Sequence, residues 1–421
     1  MSTKKSVTLG LILIAIAALT WLLTTTSPAV WPVRHTLQYR LMRGWWSLAG
    51  APQTGSPGTL QGLVTGQTGQ PIAGAWVLVS TWDGTTYHSQ SRADGAYTIA
   101  GIPAGAYRPV AGAAGYAGHI ESDGWGSIAV HDGQVSQLNF MLEPETPRPV
   151  APGQNLSLGE PTTLTCTTPL QGSAVRRQVM FDNAGKPNQT TYFYTPVNTG
   201  PHDALPALLA VYPGPADGWE CASLPLAAAG YAVLGIGPAY SFDLEADIDE
   251  LERLAQFARG GNFPGVDPTR LAVLGGSYSG LHVQRLLQRN PDFQAALLLG
   301  PPTDLFDMRR RLEEGSYVPP YGLDQALIAL GLPSRQPRLY WQYSGAYHVR
   351  PNFPPIILLH SRSDAVVPYQ QTELLAANLA AAGIEHETHF FDGAGHYLLD
   401  EGGGADPIFK LALDFLARHL P

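Results

Sequence analysis

A serine becomes a useful nucleophile only when its hydroxyl stands clear of the backbone and an imidazole can take its proton. The segment Gly275-Gly276-Ser277-Tyr278-Ser279-Gly280 meets the first condition. It follows the apolar run Leu271-Ala272-Val273-Leu274 and precedes an amphipathic stretch from Leu281 to Arg289. A strand, a sharp turn and a helix with serine at the apex form a nucleophile elbow, in which small neighbours let the turn tighten. Ser279 stands where the general pattern has glycine and offers a second hydroxyl, but the glycine spacing centres on Ser277. The plainer reading of such a segment is a Gly/Ser-rich loop after a buried strand.

Two later segments carry the partners such a serine needs. Asp364 lies in Leu359-His360-Ser361-Arg362-Ser363-Asp364-Ala365-Val366-Val367-Pro368, and His396 in Phe391-Asp392-Gly393-Ala394-Gly395-His396. The order Ser, Asp, His is that of the α/β-hydrolase layout. His396, in a Gly-rich turn after a strand, suits the role of base. Asp364, at the end of an apolar strand, suits the role of the carboxylate that fixes the imidazole tautomer and offsets its developing charge. Asp392 is nearer in sequence but too early in the same turn to orient His396. A histidine base also predicts that activity falls below about pH 6. The oxyanion needs donors aimed at it. The N–H of Tyr278 is one. The second is expected from the loop Val211-Tyr212-Pro213-Gly214-Pro215, where the prolines have no N–H to give. A Tyr212 hydroxyl would fill that gap; an ordinary aromatic at a strand end is the other reading.

The elements around these residues are strands alternating with helices. Strands are expected near Gln178–Phe181, Thr191–Thr195, Leu208–Tyr212, Ala232–Ile236, Leu271–Leu274, Ala295–Leu299, Ile356–His360 and Glu387–Phe391. Helices are expected near Asp243–Arg259, Leu281–Arg289, Tyr369–Ala382 and Pro407–His419. Apolar strands joined by crossover helices mean a doubly wound, mostly parallel α/β sheet, placed over residues 175–421. Residues 301–355 form a long, aromatic-rich insertion that either caps the site or packs on the sheet. Residues 144–174 read as a Pro-rich linker. Ahead of it, residues 59–143 show short β-type runs between turn signals such as Gly69-Gln70-Pro71, Asp83-Gly84 and Asp94-Gly95, as in a small all-β sandwich.

At the start of the chain, Lys4 and Lys5 precede an uncharged run from Val7 to Leu23. Its length suits a short membrane-spanning helix better than a signal-peptide core. Residues 1–30 therefore read as a membrane anchor, with a signal cleaved after Ala29 as the alternative. Residues 31–58 read as a juxtamembrane linker whose Trp31, Arg34, Arg40, Arg43, Trp45 and Trp46 suit a membrane interface. The folded domains are expected to be extracytoplasmic, or secreted if the signal is cleaved.

The chain has 421 residues and a formal net charge of −9, and lysine occurs only at positions 4, 5, 186 and 410. That balance argues against a nucleic-acid partner. His88, His119 and His131 are scattered singly, so no metal site is expected, and the chemistry calls for no cofactor. Cys166 and Cys221 permit one disulfide or two buried thiols. Glu245, Asp247, Asp249, Glu313 and Glu314 read as solvated helix charges rather than an amine-binding pocket.

Two resemblances follow. The string Gly62-Leu63-Val64, Gly69-Gln70-Pro71-Ile72-Ala73-Gly74-Ala75-Trp76-Val77, Asp94-Gly95-Ala96-Tyr97 and Ile102-Pro103-Ala104-Gly105-Ala106-Tyr107 resembles the carboxypeptidase regulatory-like (transthyretin-like) domain. That likeness implies an accessory module. From about 175 to 421, Val-Tyr-x-Gly-Pro, Gly-x-Ser-Tyr-x-Gly, His-x-x-x-Asp-x-x-Val and the terminal Gly-His resemble the catalytic domain of the prolyl oligopeptidase family. Its dipeptidyl-peptidase and acylaminoacyl-peptidase branches are the most alike. The resemblance implies a triad of Ser277, Asp364 and His396, with the Tyr212 phenol donating to the oxyanion. It also implies short peptides as substrates. The chain departs at Ser279, at Tyr397 after the histidine, and in having no β-propeller ahead of the domain, which keeps small acyl esters open as substrates. A degenerate, non-catalytic binding protein is the third reading.

Overall fold

Strands Leu205–Val211, Ala232–Ile236, Val266–Gly276, Ala295–Leu299 and Ile356–Ser361 are apolar at nearly every position along their inner stretches. Such runs belong to parallel strands covered on both faces. In the computed structural model these residues divide between two cores according to the pleat. Leu209, Val211, Val273, Leu298 and Leu358 face one side of the sheet, and Leu208, Ala210, Ala272, Leu297 and Ile357 face the other. The structure describes residues 13–22, 24, 30–50, 55–120, 128–146, 148–237, 244–320, 322–399 and 405–421. By contacts the chain divides into two units, Met1–Pro144 with Leu305–Gln342, and Glu145–Asp304 with Tyr343–Pro421.

The second unit holds a ten-stranded sheet. Inward from two short outer strands its order is Gly172–Asp182, Thr191–Thr195, Ala232–Ile236, Leu205–Val211, Val266–Gly276, Ala295–Leu299, Ile356–Ser361 and His386–Phe391. Strand Thr191–Thr195 is antiparallel to both neighbours, and from Ala232–Ile236 onward every pairing is parallel. The order reverses at Leu205–Val211, where Val211 pairs with Gly275. That reversal sets the loop after Val211 beside the turn that carries Ser277, at the carboxyl ends of the strands, where α/β sheets gather reactive groups.

The expected linker 144–174 differs from the fold. Gln154–Leu158 and Thr162–Cys166 are strands, both antiparallel to Gly172–Asp182. They carry few apolar residues because they run along an exposed edge, so the hydrophobic period that marks a buried strand is missing. Glu220–Ala228 is a helix that the sequence does not signal, since Pro225 sits inside it and nearly all of its residues are uncharged. A disulfide joins Cys166 to Cys221 and so ties the edge strand to this helix.

The first unit contains the β domain. One sheet is built on Pro57–Gly66, which pairs with Ala96–Pro103, Val135–Gln137 and Phe140–Leu142, and another on Trp76–Ser80. Leu60, Val64, Val77, Val79, Tyr97, Ile99 and Phe140 form its core. Residues 31–58 are not simply a linker, because Trp31–Ala49 is a helix. Its His35 is buried, with Nδ1 2.8 Å from the carbonyl of Ala329, and Tyr39 donates to Glu313 at 3.1 Å. Sequence alone could not show this, because the partners lie nearly 300 residues away, in the insertion. Among the described residues no helix is long and apolar enough to cross a membrane. Most of the expected anchor, including residues 1–12, 23 and 25–29 with the Ala29 cleavage point, lies outside the described residues.

Candidate active site

The elbow is tight for reasons that can be named. Ser277 adopts φ 51°, a left-handed conformation that costs a non-glycine residue of order 1–3 kcal/mol and persists only where the surroundings impose it. Here Ser277 N–H donates to Leu299 O at 2.9 Å, and Gly280 N–H to Ser277 O at 2.9 Å. A Cβ at Gly275 would come within 2.6 Å of Val283, and one at Gly280 within 2.7 Å of Pro301. The strand before the elbow can approach the helix Ser279–Arg289 this closely only with Gly275, and the helix can meet the turn after Ala295–Leu299 only with Gly280.

Ser277, His396 and Asp364 are brought together. Ser277 Oγ lies 2.8 Å from His396 Nε2, and His396 Nδ1 lies 2.8 Å from Asp364 Oδ2. An imidazole so placed can take the hydroxyl proton as the oxygen attacks, with the carboxylate holding the other nitrogen protonated. Asp364 is itself well held. Its Oδ1 accepts from Val366 N–H at 2.7 Å and Val367 N–H at 2.9 Å. Burial works against its charge, but hydrogen bonds from His360, His396 and Val367 N–H outweigh it and hold the carboxyl well below the usual carboxylate range. The turn bearing His396 is fixed to the acid turn by Gly395 N–H donating to Ser363 Oγ at 3.1 Å.

Ser279 is not poised as a nucleophile. It is wholly buried, and its Oγ lies 2.6 Å from Val211 O, accepts Gly276 N–H at 3.0 Å and lies 2.8 Å from Gly276 O. The hydroxyl that breaks the glycine pattern therefore ties the elbow to the strand next to it.

Tyr212 departs from expectation. Its side chain is 3% exposed and stacks on Trp219 at 5.7 Å, and its hydroxyl lies 2.6 Å from Ser223 Oγ. Burial pushes the phenol far above its ordinary value, so it stays a neutral hydroxyl. A group that stabilises an oxyanion must face the nucleophile, whereas this one is engaged inside the core by a helix the sequence did not reveal. Tyr278 precedes the first turn of helix Ser279–Arg289, where backbone N–H groups point outward.

Of the five acidic residues expected to be solvated, four are instead paired and at least half-buried, while Glu314 is exposed beside Arg310 at 2.7 Å. Glu245 pairs with Arg285 at 2.9 Å and Arg289 at 3.1 Å, and Asp249 pairs with Arg289 at 2.6 Å. Asp247, 4% exposed, accepts from Gln189 at 2.8 Å and lies 3.1 Å from His282 Nε2. In the other unit Glu313 pairs with the buried Arg309 at 2.9 Å. Sequence reasoning passed over Ser223 and His360. The second had a signal, the histidine of the quoted His-x-x-x-Asp string.

A sheet of this order with a serine elbow at its carboxyl edge defines an α/β-hydrolase domain, and the chain is a serine hydrolase. Residues 247–421 match the model of the prolyl oligopeptidase family, and residues 59–143 match that of the carboxypeptidase regulatory-like domain. No curated protein matches the chain. Similar solved structures include Thermogutta terrifontis esterase 2 phosphonylated by sarin, at 21% identity over 56% of this chain and 92% of that one, with a TM-score of 0.44. The propionate-bound form of that thermophilic esterase gives 20% identity over 56% and 92%, TM-score 0.44. The butyrate-bound form gives 22% over 56% and 91%, TM-score 0.42.

Proposed function

We propose that the chain is a prolyl oligopeptidase-like serine peptidase that cleaves short peptides through an acyl-enzyme. The observation that carries this reading is the unbroken hydrogen-bond chain from Ser277 through His396 to Asp364 inside the family-matched segment. Ser277 Oγ attacks the scissile carbonyl while its proton passes to His396 Nε2, and Asp364 offsets the imidazolium. The Tyr278 N–H stabilises the oxyanion. His396 then gives the proton to the leaving amine, and water repeats the sequence to release the acid. The domain at 59–143 serves as an accessory module.

One observation favours a second substrate class. The carboxylates that could hold a peptide amino terminus, Glu245, Asp247 and Asp249, are already taken by Arg285, Arg289, Gln189 and His282. A carboxylesterase acting on small acyl esters needs no such group. Treating the full chain and Ser277→Ala with a fluorophosphonate, then assaying p-nitrophenyl acyl esters against aminoacyl and dipeptidyl anilides, separates the two. Label lost in Ser277→Ala supports the nucleophile, and the preferred substrate sets the class. No label and no turnover would leave a binding protein.

The N-terminal region is proposed to attach the chain to a membrane with its domains outside the cytoplasm. Support comes from exposed Leu13, Ile14, Ile16 and Trp21, and from the helix Trp31–Ala49, which exposes Leu41, Trp45 and Leu48, carries Arg34, Arg40 and Arg43, and has no acidic residue. Flotation with anionic vesicles checks this; a chain that stays at the bottom of the gradient contradicts it.

A further inference from the structure

Asp364 Oδ2 is served by more than one imidazole. The ring of His360, wholly buried at the end of strand Ile356–Ser361, brings Nε2 to 3.2 Å from that same oxygen. The same nitrogen lies 3.0 Å from the carbonyl of Val367. Both neighbours are acceptors, so Nε2 carries a proton and shares it between them, the carbonyl being the closer. On the other side of the ring, Nδ1 lies 2.7 Å from Thr372 Oγ1 of helix Gln370–Ala381. Gly300 closes the space beside the pair, since a Cβ there would lie 3.2 Å from Asp364 Oδ2 and 3.7 Å from His360 Nε2.

We infer that His360 is a positioning residue that shares the Asp364 carboxylate with His396 and so sets how much of its negative charge His396 meets. The inference rests on the reading of Ser277, His396 and Asp364 as the catalytic relay. With Oδ1 held by two backbone N–H groups and Oδ2 by two rings, the carboxylate has one orientation, and His360 offsets part of its charge. Without the His360 donor, the carboxylate is freer to turn and its charge falls more fully on His396. The base then protonates more readily, and the acid limb of the pH profile moves to higher pH. Among the described residues the other groups against these rings are few. Thr372, Val367 and Gly300 face His360, and none of them titrates. His396 meets Ser277 and, at 5.7 Å between rings, Tyr397. Arg362, on the acid turn, is directed to Glu373 and Asp392.

The test needs no substrate. The rate at which a fluorophosphonate labels Ser277 is measured against pH for the full chain, for His360→Leu and for His360→Gln. In the labelling step the Ser277 Oγ–P bond forms, fluoride leaves and the serine proton passes to His396. The amide nitrogen of Gln reaches the place of the imidazole Nε2 and donates without titrating. His360→Leu is expected to label about ten-fold more slowly at the plateau, the cost of one hydrogen bond to a charged group. Its acid midpoint should lie higher by about half a pH unit, a modest change in the charge the base meets. His360→Gln should restore most of the rate and the wild-type midpoint. If His360→Leu does not fold, His360→Asn, whose amide falls short of the carboxylate, takes its place with the same expectation. An unmoved midpoint, with slowing only in proportion to the folded fraction by circular dichroism, overturns the inference and leaves His360 a packing residue. A wild-type chain that takes no label overturns the catalytic reading itself, which separates the two failures.

Discussion

Replacing Ser279 by alanine removes one oxygen from a site with no exposure and three polar contacts. The hydroxyl has a single proton, and the nearer acceptor is Val211 O, at 2.6 Å against 2.8 Å for Gly276 O. The variant therefore loses one donated and one accepted bond, and the Gly276 N–H is left without the oxygen it faces. A neutral hydrogen bond contributes about 1 kcal/mol net, and a buried group left unpaired costs about 1–3 kcal/mol. A loss near 2 kcal/mol is expected, because the turn can relax enough to recover part of the larger figure. For a unit of this size each kcal/mol moves Tm by about 2–4 °C, which makes the expected fall about 4–8 °C. Differential scanning fluorimetry measures it. The same protein should still take the fluorophosphonate label, more slowly, because the elbow is less firmly tied to strand Leu205–Val211. An unchanged Tm would refute the idea that the extra hydroxyl is a tie between strand and elbow. Label lost in Ser279→Ala but kept in Ser277→Ala would refute the choice of nucleophile.

Tyr212→Phe should label within a few-fold of the wild-type rate and lose about 1 kcal/mol of stability with the Ser223 contact; a rate loss of about 100-fold or more would return the phenol to the oxyanion. Arg289→Met leaves Glu245, Asp249 and Glu252 facing one another at a nearly buried site, and thermal unfolding should show a loss of about 3 kcal/mol or more. Asp364 is held below its unfolded range, so its contribution is present above about pH 4 and disappears as pH falls through the folded value. Acid unfolding of the wild type should therefore be steeper below about pH 4 than that of Asp364→Asn, and identical slopes would contradict this. Cys166→Ser with Cys221→Ser should cost about 2–4 kcal/mol, the range for a closed loop of this order, read by denaturant unfolding without reductant.

The parts of the fold that were legible in the sequence are those whose signal is local. The apolar runs at Ala232–Ile236 and Ala295–Leu299 have the bounds expected of them, since a strand covered on both faces has no choice of composition. The elbow was legible because a tight turn demands small residues, and Gly275 and Gly280 have no room for a side chain. What failed to register depends on distant partners. Gln154–Leu158 and Thr162–Cys166 are strands only because Gly172–Asp182 lies alongside them. Glu220–Ala228 is a helix despite Pro225, and its Ser223 decides what the Tyr212 hydroxyl touches. The acidic residues on Leu244–Arg259 look solvated until Arg285 and Arg289, on the helix after the elbow, are set against them.

The tie between His35 and the carbonyl of Ala329 spans 294 residues of chain. On a ribosome adding about 5–20 residues per second, the helix Trp31–Ala49 therefore waits about 15–60 s before the insertion it packs on exists. The β strands of residues 57–142 have no such delay, because their pairings are complete within their own segment. The hydrolase unit, in turn, is interrupted by Leu305–Gln342 before its last two strands are made. Each unit thus holds a piece that the other's stretch of chain delivers late. During synthesis Trp46 and Arg43 of the helix meet Trp82 early, whereas a ribosome stalled before residue 300 leaves His35 and Tyr39 without the insertion residues they bond.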